Sequence, residues 1–269
     1  MNESVLTGAE ARRLMREGDC RGSTAGLAQD YVQANLVVLP EGYAAAFNRF
    51  CTLNPKPCPL LGITAPGDPD PGALAPGADL RFDVVRYRVY RDGKLAGEVT
   101  DIAHLWRRDS VAFLLGCSFT FEKALVRAGI PMRHLELGCT VPMFQTALSC
   151  HPAEPFMGPL VVTMRPIPAN LVETAIAVTS RFPLAHGAPI HAGDPVQLGI
   201  TDLSRPDYGD PVPVLVGEVP VFWACGVTPQ AAIQSAGIPL VITHAPGCMF
   251  ITDLREVELD EGCSPSKGL

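Results

Sequence analysis

Val219-Pro-Val-Phe-Trp-Ala-Cys-Gly-Val-Thr-Pro-Gln230, continuing to Leu240-Val-Ile-Thr-His-Ala-Pro-Gly247, is the stretch whose reading decides the fold. Val219 to Ala224 is a short apolar, β-branched and aromatic run of the kind that fills a buried strand, and Leu240 to Thr243 is a second. Between them the chain punctuates a helix: Thr228 suits an N-cap, Pro229 the first turn, and Gly237 a left-handed terminus. Two strands joined by one helix predict a parallel pair with a right-handed crossover. Cys225-Gly226 and His244-Ala-Pro-Gly247 would then leave the sheet together at its carboxyl edge, where open α/β sheets bind ligands. A helix starting at Thr228 would direct unpaired N–H groups and positive partial charge to that edge, favouring a carboxylate or phosphate.

Outward from this unit, 269 residues with a formal charge of -7 provide for a sizeable core and exclude the dense Lys and Arg of a nucleic-acid or anionic-membrane binder. A small metabolite is the expected partner, and a homo-oligomer is left open. The amino terminus lacks the basic and apolar regions of a signal peptide, and no apolar run approaches the roughly 20 residues that span a bilayer. Nine cysteines without a repeated spacing or a Cys-x-x-Cys pair read as reduced thiols, so a cytoplasmic location is expected, with no cofactor and no metal.

Thr7-x-x-Glu10 writes a capping box before a surface or docking helix. Residues 24–39 and 41–51 read as helices, and the Pro- and Gly-rich run 55–77 as a long connection that crosses a site or wraps the surface. Val84 to Tyr90 and Leu95 to Thr100 flank Asp92-Gly93 as a hairpin. Residues 110–128 read as largely helical with an unexplained break at Gly116-Cys117-Ser118. Strands are expected at 134–144 and 160–165, and a helix at 171–180 with Asn170 and Glu173 as caps. The tail after Asp253 reads as frayed. The organisation expected is a main α/β domain, 1–129 with 201–269, carrying an inserted α+β domain, 130–200.

The chain has no phosphate loop, Gly-x-Gly-x-x-Gly turn, Gly-x-Ser-x-Gly elbow or His-Glu-x-x-His helix, which disfavours nucleotide-driven and zinc-protease chemistry. What remains is polar residues at turns. His244 at a strand end suits proton transfer. Cys117, before a helix start, is a candidate nucleophile, and Cys225 is a second, weaker one. Glu122 and Asp194 are candidate partners in acid–base work, since an unpaired buried carboxylate would be costly. Arg165 and Arg181 are candidates for a two-pronged grip on a carboxylate. His186, His191, Gly226, Thr228 and Gly247 complete the candidate binding set. Each has a plain structural alternative: a loop hydrogen bond for the histidines, buried packing for the thiols, an ion pair for Glu122 and the arginines.

Six stretches carry a family resemblance: Tyr31-Val-Gln-Ala-Asn-Leu36, Asn54-Pro-Lys-Pro-Cys-Pro-Leu-Leu61, Ala112-Phe-Leu-Leu-Gly-Cys-Ser-Phe-Thr-Phe-Glu122, His186-Gly-Ala-Pro-Ile-His-Ala-Gly-Asp-Pro195, Gly217 to Gln230, and Thr243-His-Ala-Pro-Gly247. Together they closely resemble the bacterial putative hydro-lyase family, also called the D-glutamate cyclase family. The resemblance implies a two-domain α/β fold, a three-layer α/β sandwich with a smaller two-layer α+β domain. It also implies elimination of water, represented by cyclisation of D-glutamate to 5-oxo-D-proline. The chain departs from the family pattern at Cys248, where a histidine is expected, and at Phe144, Gln145 and Ala147, where tyrosine, arginine and asparagine are expected. Two alternatives follow: a non-catalytic or regulatory binder of 5-oxoproline or a related carboxylic acid, and thiol-based amide hydrolysis through Cys117 or Cys225.

Overall fold

The computed structural model describes residues 6–262. Its centre is β1 (Tyr31–Pro40), ten residues buried at all but the two ends. Residues 24–39 were expected to be helical. They are not, because Leu36-Val-Val-Leu39 is apolar on both faces and β-branched at its middle, the pattern of a strand covered on both sides. β5 (Ser110–Gly116) lies antiparallel along one edge of β1, from Ala34 opposite Gly116 to Pro40 opposite Ser110. The other edge is shared by two strands in succession. β10 (Val241–His244) covers Val37 and Val38, and β11 (Phe250–Arg255) covers Gln33 and Ala34. Asn35 and Leu36 therefore face a break in the ladder, and this break is what makes room for a site.

β2 (Leu60–Ile63) extends the sheet beyond β5, while β3 (Tyr87–Arg91) and β4 (Lys94–Val99) extend it beyond β10. The last two form the expected hairpin, with Asp92 and Gly93 both at positive φ (49° and 76°) as its tight turn demands. The second sheet is four-stranded, in the order β6 (Met143–Ser149), β7 (Pro159–Pro168), β9 (Glu218–Ala224), β8 (His191–Ala192). Every pairing between named strands is antiparallel.

The fold is mixed α/β, as expected, but the unit that opened the reading is wired differently. β9 belongs to the small sheet and β10 to the large one, so α6 (Thr228–Ala236) bridges two sheets and is not a crossover within one. Local sequence fixes a strand-helix-strand unit without saying whether its two strands share a sheet. The small sheet also draws β9 from beyond residue 200, past the expected boundary of the insertion. The break at 116–118 proves to be a strand-to-helix turn, from β5 into α3 (Phe119–Arg127). Residues 134–144 hold a short helix, α4 (Arg133–Glu136), before β6. α5 (Val172–Ser180) forms as expected but without the Asn170 cap. β11 and the buried residues Glu256 and Leu259 replace the expected frayed tail up to residue 262.

One core joins the sheets. Val37, Leu39, Phe113 and Leu115 of the large sheet meet Val162, Met164, Phe222 and Ala224 of the small one, with Phe47 and Phe50 of α2 (Glu41–Leu53) between. Phe47 packs edge-on to Phe113 and Phe156, with ring centroids 4.9 and 5.0 Å apart; such pairs contribute about 0.5–1.5 kcal/mol beyond area burial. The opposite face of β1 and β5 is covered by Ala75, Ala78, Leu80 and Val84, so the long connection wraps the large sheet. α3 and α5 cover the small sheet through Phe121, Leu125, Ala175 and Trp223. α1 (Gly8–Glu17), with its capping box, docks on β11 through buried Arg12, which donates to Asp253 and to the Ile251 carbonyl.

Candidate active site

Because β5 and β10 both run antiparallel to β1, they point the same way, and their carboxyl ends emerge side by side. The carboxyl end of β9 arrives from the other sheet. The chain continues as Cys117-Ser118 after β5, as Cys225-Gly226 after β9 and as the turn to Gly247 after β10, and these three ends line one narrow cleft of about 340 Å3 together with Asn35, Thr140 and Thr163. The strand-end site expected from the sequence is thus assembled from two antiparallel sheets.

Two helices begin at this cleft. Ser118 is the N-cap of α3 and Val227 that of α6, and neither helix has a side-chain cap. Their unpaired N–H groups and partial positive charges converge on one small volume, which favours an anion there. Gly226 is required by packing: a Cβ at that position would lie 2.0 to 2.4 Å from the amide atoms of Asn35. Asn35 in turn donates to the Gly116 carbonyl at 2.7 Å, so the two sheets are keyed together at the cleft floor.

His244 is 1% exposed. The Leu36 N–H donates to its Nδ1 at 3.1 Å, filling the break in the β1 ladder. A backbone N–H can only donate, so Nδ1 is the acceptor and the neutral ring carries its proton on Nε2. Nε2 is buried without a hydrogen-bond partner in the chain, on a residue that lines the cleft. Burial pushes the His244 pKa down to about 4, so at neutral pH the ring is an uncharged donor.

Cys117 and Cys225 line the same cleft, but burial pushes their thiols up to about 12 and about 11. Both are protonated at neutral pH and poor nucleophiles. Glu122 and Arg165 do not reach the cleft. Arg165, 1% exposed in the middle of β7, donates through Nε (3.1 Å) and Nη2 to Glu122 Oε1. Its guanidinium packs against the rings of Phe121 and Trp223, at 5.3 and 5.5 Å. His134 Nε2 lies 3.1 Å from Glu122 Oε1 as an ion-pair contact outside hydrogen-bond geometry. Burial on its own would raise the Glu122 pKa, but the Arg165 charge, with His134, holds it below the usual carboxylate value. Glu122 is thus a fixed counter-ion, and its acid–base role is withdrawn.

The remaining candidates lie elsewhere. The Thr228 hydroxyl ties α6 to both backbone groups of Val161 and is fully buried. Arg181 pairs with Asp260. Asp194 accepts from the Val196 N–H, and His191 Nε2 lies 2.9 Å from the Asp194 carbonyl. His186 Nδ1 bonds the Lys56 carbonyl at 2.8 Å. No residue of the 181–194 loop lines the cleft; it comes no closer than the back of Gly116, where a Cβ would lie 1.7 Å from the Leu184 carbonyl oxygen. Among the described residues no group of three or more His, Cys, Asp or Glu could hold a metal ion, and no helix is long and apolar enough to cross a membrane.

Asn35, Ser118, Thr140 and Thr163 are site residues that sequence reasoning missed. Asn35 and Ser118 sit inside motif stretches, and a polar residue in an otherwise apolar buried run was the available signal. The departures at Phe144, Gln145, Ala147 and Cys248 do not line the cleft. Phe144 is in the joint core, and Gln145 reaches Tyr208. A larger cavity of about 850 Å3 beside α3, lined by Glu122, Lys123 and Arg127, shares only Phe119 with the cleft.

A family model described as D-glutamate cyclase matches residues 111–253, a span holding all three strand ends. A protein named "Putative hydro-lyase" from Rubrobacter xylanophilus is 59% identical over 252 residues, 94% of this chain and 97% of that protein. Proteins of the same name from Geobacillus kaustophilus and Stutzerimonas stutzeri are each 57% identical over 254 residues, covering 94% of this chain and 97% and 96% of theirs.

Proposed function

This chain belongs to the D-glutamate cyclase family of putative hydro-lyases, and we propose on that premise that it removes water from a small amino dicarboxylate, closing D-glutamate to 5-oxo-D-proline in the cleft at His244. The observation that carries this reading is the buried, unpartnered Nε2 of His244 at the meeting of two helix N-termini.

Lactam closure asks little of an external acid or base. The α-ammonium loses two protons, the γ-carboxylate loses one oxygen, and the two protons leave with that oxygen as water. The site has to bring amine and γ-carbon together, strip their water, and stabilise negative charge on the carboxyl oxygens as the amine adds. A neutral imidazole with a depressed pKa is suited to that last task, because it donates a hydrogen bond without becoming a full cation. His244 Nε2–H takes this role and passes a proton to the departing oxygen as the amine releases one. The helix N-termini hold the carboxylate that is not consumed.

The departures at Phe144, Gln145, Ala147 and Cys248 stand outside the cleft lining, which removes the motive for reading the chain as a binder. The elevated thiol pKa values speak against cysteine-based hydrolysis. Incubation with D- and L-glutamate and a mass readout tests the proposal: loss of water from one enantiomer is expected, and intact glutamate of both hands would refute it.

A further inference from the structure

Arg165 is a buried cation with no direct path to the cleft, yet two of its nitrogens end on groups that line it. Nη1 donates to Thr163 Oγ1 and Nη2 to Ser118 Oγ, both at 3.1 Å, and both residues are part of the cleft wall. Each hydroxyl has one proton and accepts from the guanidinium, so its own O–H points away from Arg165. Among the described residues neither hydroxyl proton has an acceptor given to it. Ser118 also holds the N-cap position of α3 without capping the helix, because its oxygen is turned to Arg165. Glu122 Oε1 and the rings of Phe121 and Trp223 fix the guanidinium from behind.

We propose that Ser118 and Thr163 form a carboxylate-binding hydroxyl pair, polarised and aimed by Arg165 as a positioning residue. The inference rests on the cleft being the reaction site and names the group held there: the α-carboxylate, which substrate and product share. Hydroxyls that accept from a cation donate more strongly, since each bond polarises the next. The arrangement gives the cleft the pull of an arginine while the charge itself stays neutralised in the core. His244 Nε2–H is left for the carboxyl group that reacts.

The test is titration calorimetry of 5-oxo-D-proline, and of acetate as the bare carboxylate probe, into the wild-type protein and the variants Ser118→Ala, Thr163→Val and Thr163→Ser. Ser118→Ala and Thr163→Val should each weaken 5-oxo-D-proline by about ten-fold, the order expected for a lost hydrogen bond to a charged group. Thr163→Val also strips Nη1 of its acceptor, so Thr163→Ser is the control: it should restore binding close to wild type. Binding unchanged in both hydroxyl-less variants, or no binding of either probe to the wild type, overturns the proposal. Hydroxyl-dependent binding without turnover of glutamate keeps the subsite and removes the lyase. Turnover with an unchanged KM in Ser118→Ala and Thr163→Val keeps the lyase and removes the subsite.

Discussion

Acidification from pH 7.5 to 5.5 should destabilise the protein through two histidines, and replacing His244 should remove half of that loss. His244 and His186 are each 1% exposed, and burial pushes both down to about 4. In the unfolded chain a histidine titrates near 6.5. Between these values the unfolded state binds more protons than the native state, so stability is full above 6.5 and falls as the pH drops towards 4. At pH 5.5 an unfolded imidazole is about 90% protonated and gains roughly 1.4 kcal/mol, while the native one gains almost nothing. Two such groups cost about 2.8 kcal/mol, a large part of a typical stability of roughly 5–15 kcal/mol. Glu122, held low, acts mainly below this window; Glu256, whose pKa burial raises, acts in the opposite sense. Both cancel when variants are compared at the same pH. The comparison uses His244→Asn, whose amide oxygen can take the place of Nδ1 and accept from Leu36. Urea unfolding at the two pH values should show a pH-dependent loss about 1.4 kcal/mol smaller in this variant than in the wild type. An equal loss in the two proteins would mean that His244 is not held neutral by burial, and the role given to its Nε2–H would fall with it.

Trp223 is fully buried, packs against Arg165 and donates to Thr179 Oγ1 at 3.1 Å, so Trp223→Ala should cost about 3–5 kcal/mol; a urea midpoint close to wild type would contradict that. Gly226→Ala should push the Asn35 amide off the Gly116 carbonyl and abolish turnover, and wild-type turnover in this variant would show that the cleft floor is not needed. With their thiols raised to about 12 and about 11, Cys117 and Cys225 should react with iodoacetamide at pH 7.5 more slowly than the partly exposed Cys20 and Cys139. Peptide mapping that finds Cys117 labelled first would reopen the thiol chemistry set aside above.

Local signals were legible where chemistry is local. The capping box at Thr7 and Glu10, the Asp92-Gly93 turn and the helix from Thr228 to Ala236 can each be read from a few neighbouring residues. The position of the site at strand ends was legible too, and His244, Cys117, Gly226 and Gly247 do come together there. Pairing was not legible. Nothing in Val219–Ala224 says that its partner is Val162–Pro168 and not Val241–His244, and β1 looked helical because a short apolar run has no decisive period. The arginines and carboxylates misled for a related reason. A charged residue in a polar loop and one sealed in a core are the same letter, and only packing shows that Arg165 and Glu122 neutralise each other behind the cleft. Ser118 and Thr163 gained their significance from that buried pair, which joins residues 43 apart in the chain.

The most direct measurement of the central claim is a crystal structure with 5-oxo-D-proline bound. The account expects the ligand in the cleft between the ends of β5, β9 and β10, its carboxylate within hydrogen-bonding distance of Ser118 Oγ and Thr163 Oγ1 and its lactam oxygen towards His244 Nε2. Density for the ligand in the cavity lined by Lys123 and Arg127, with the cleft empty, would contradict it.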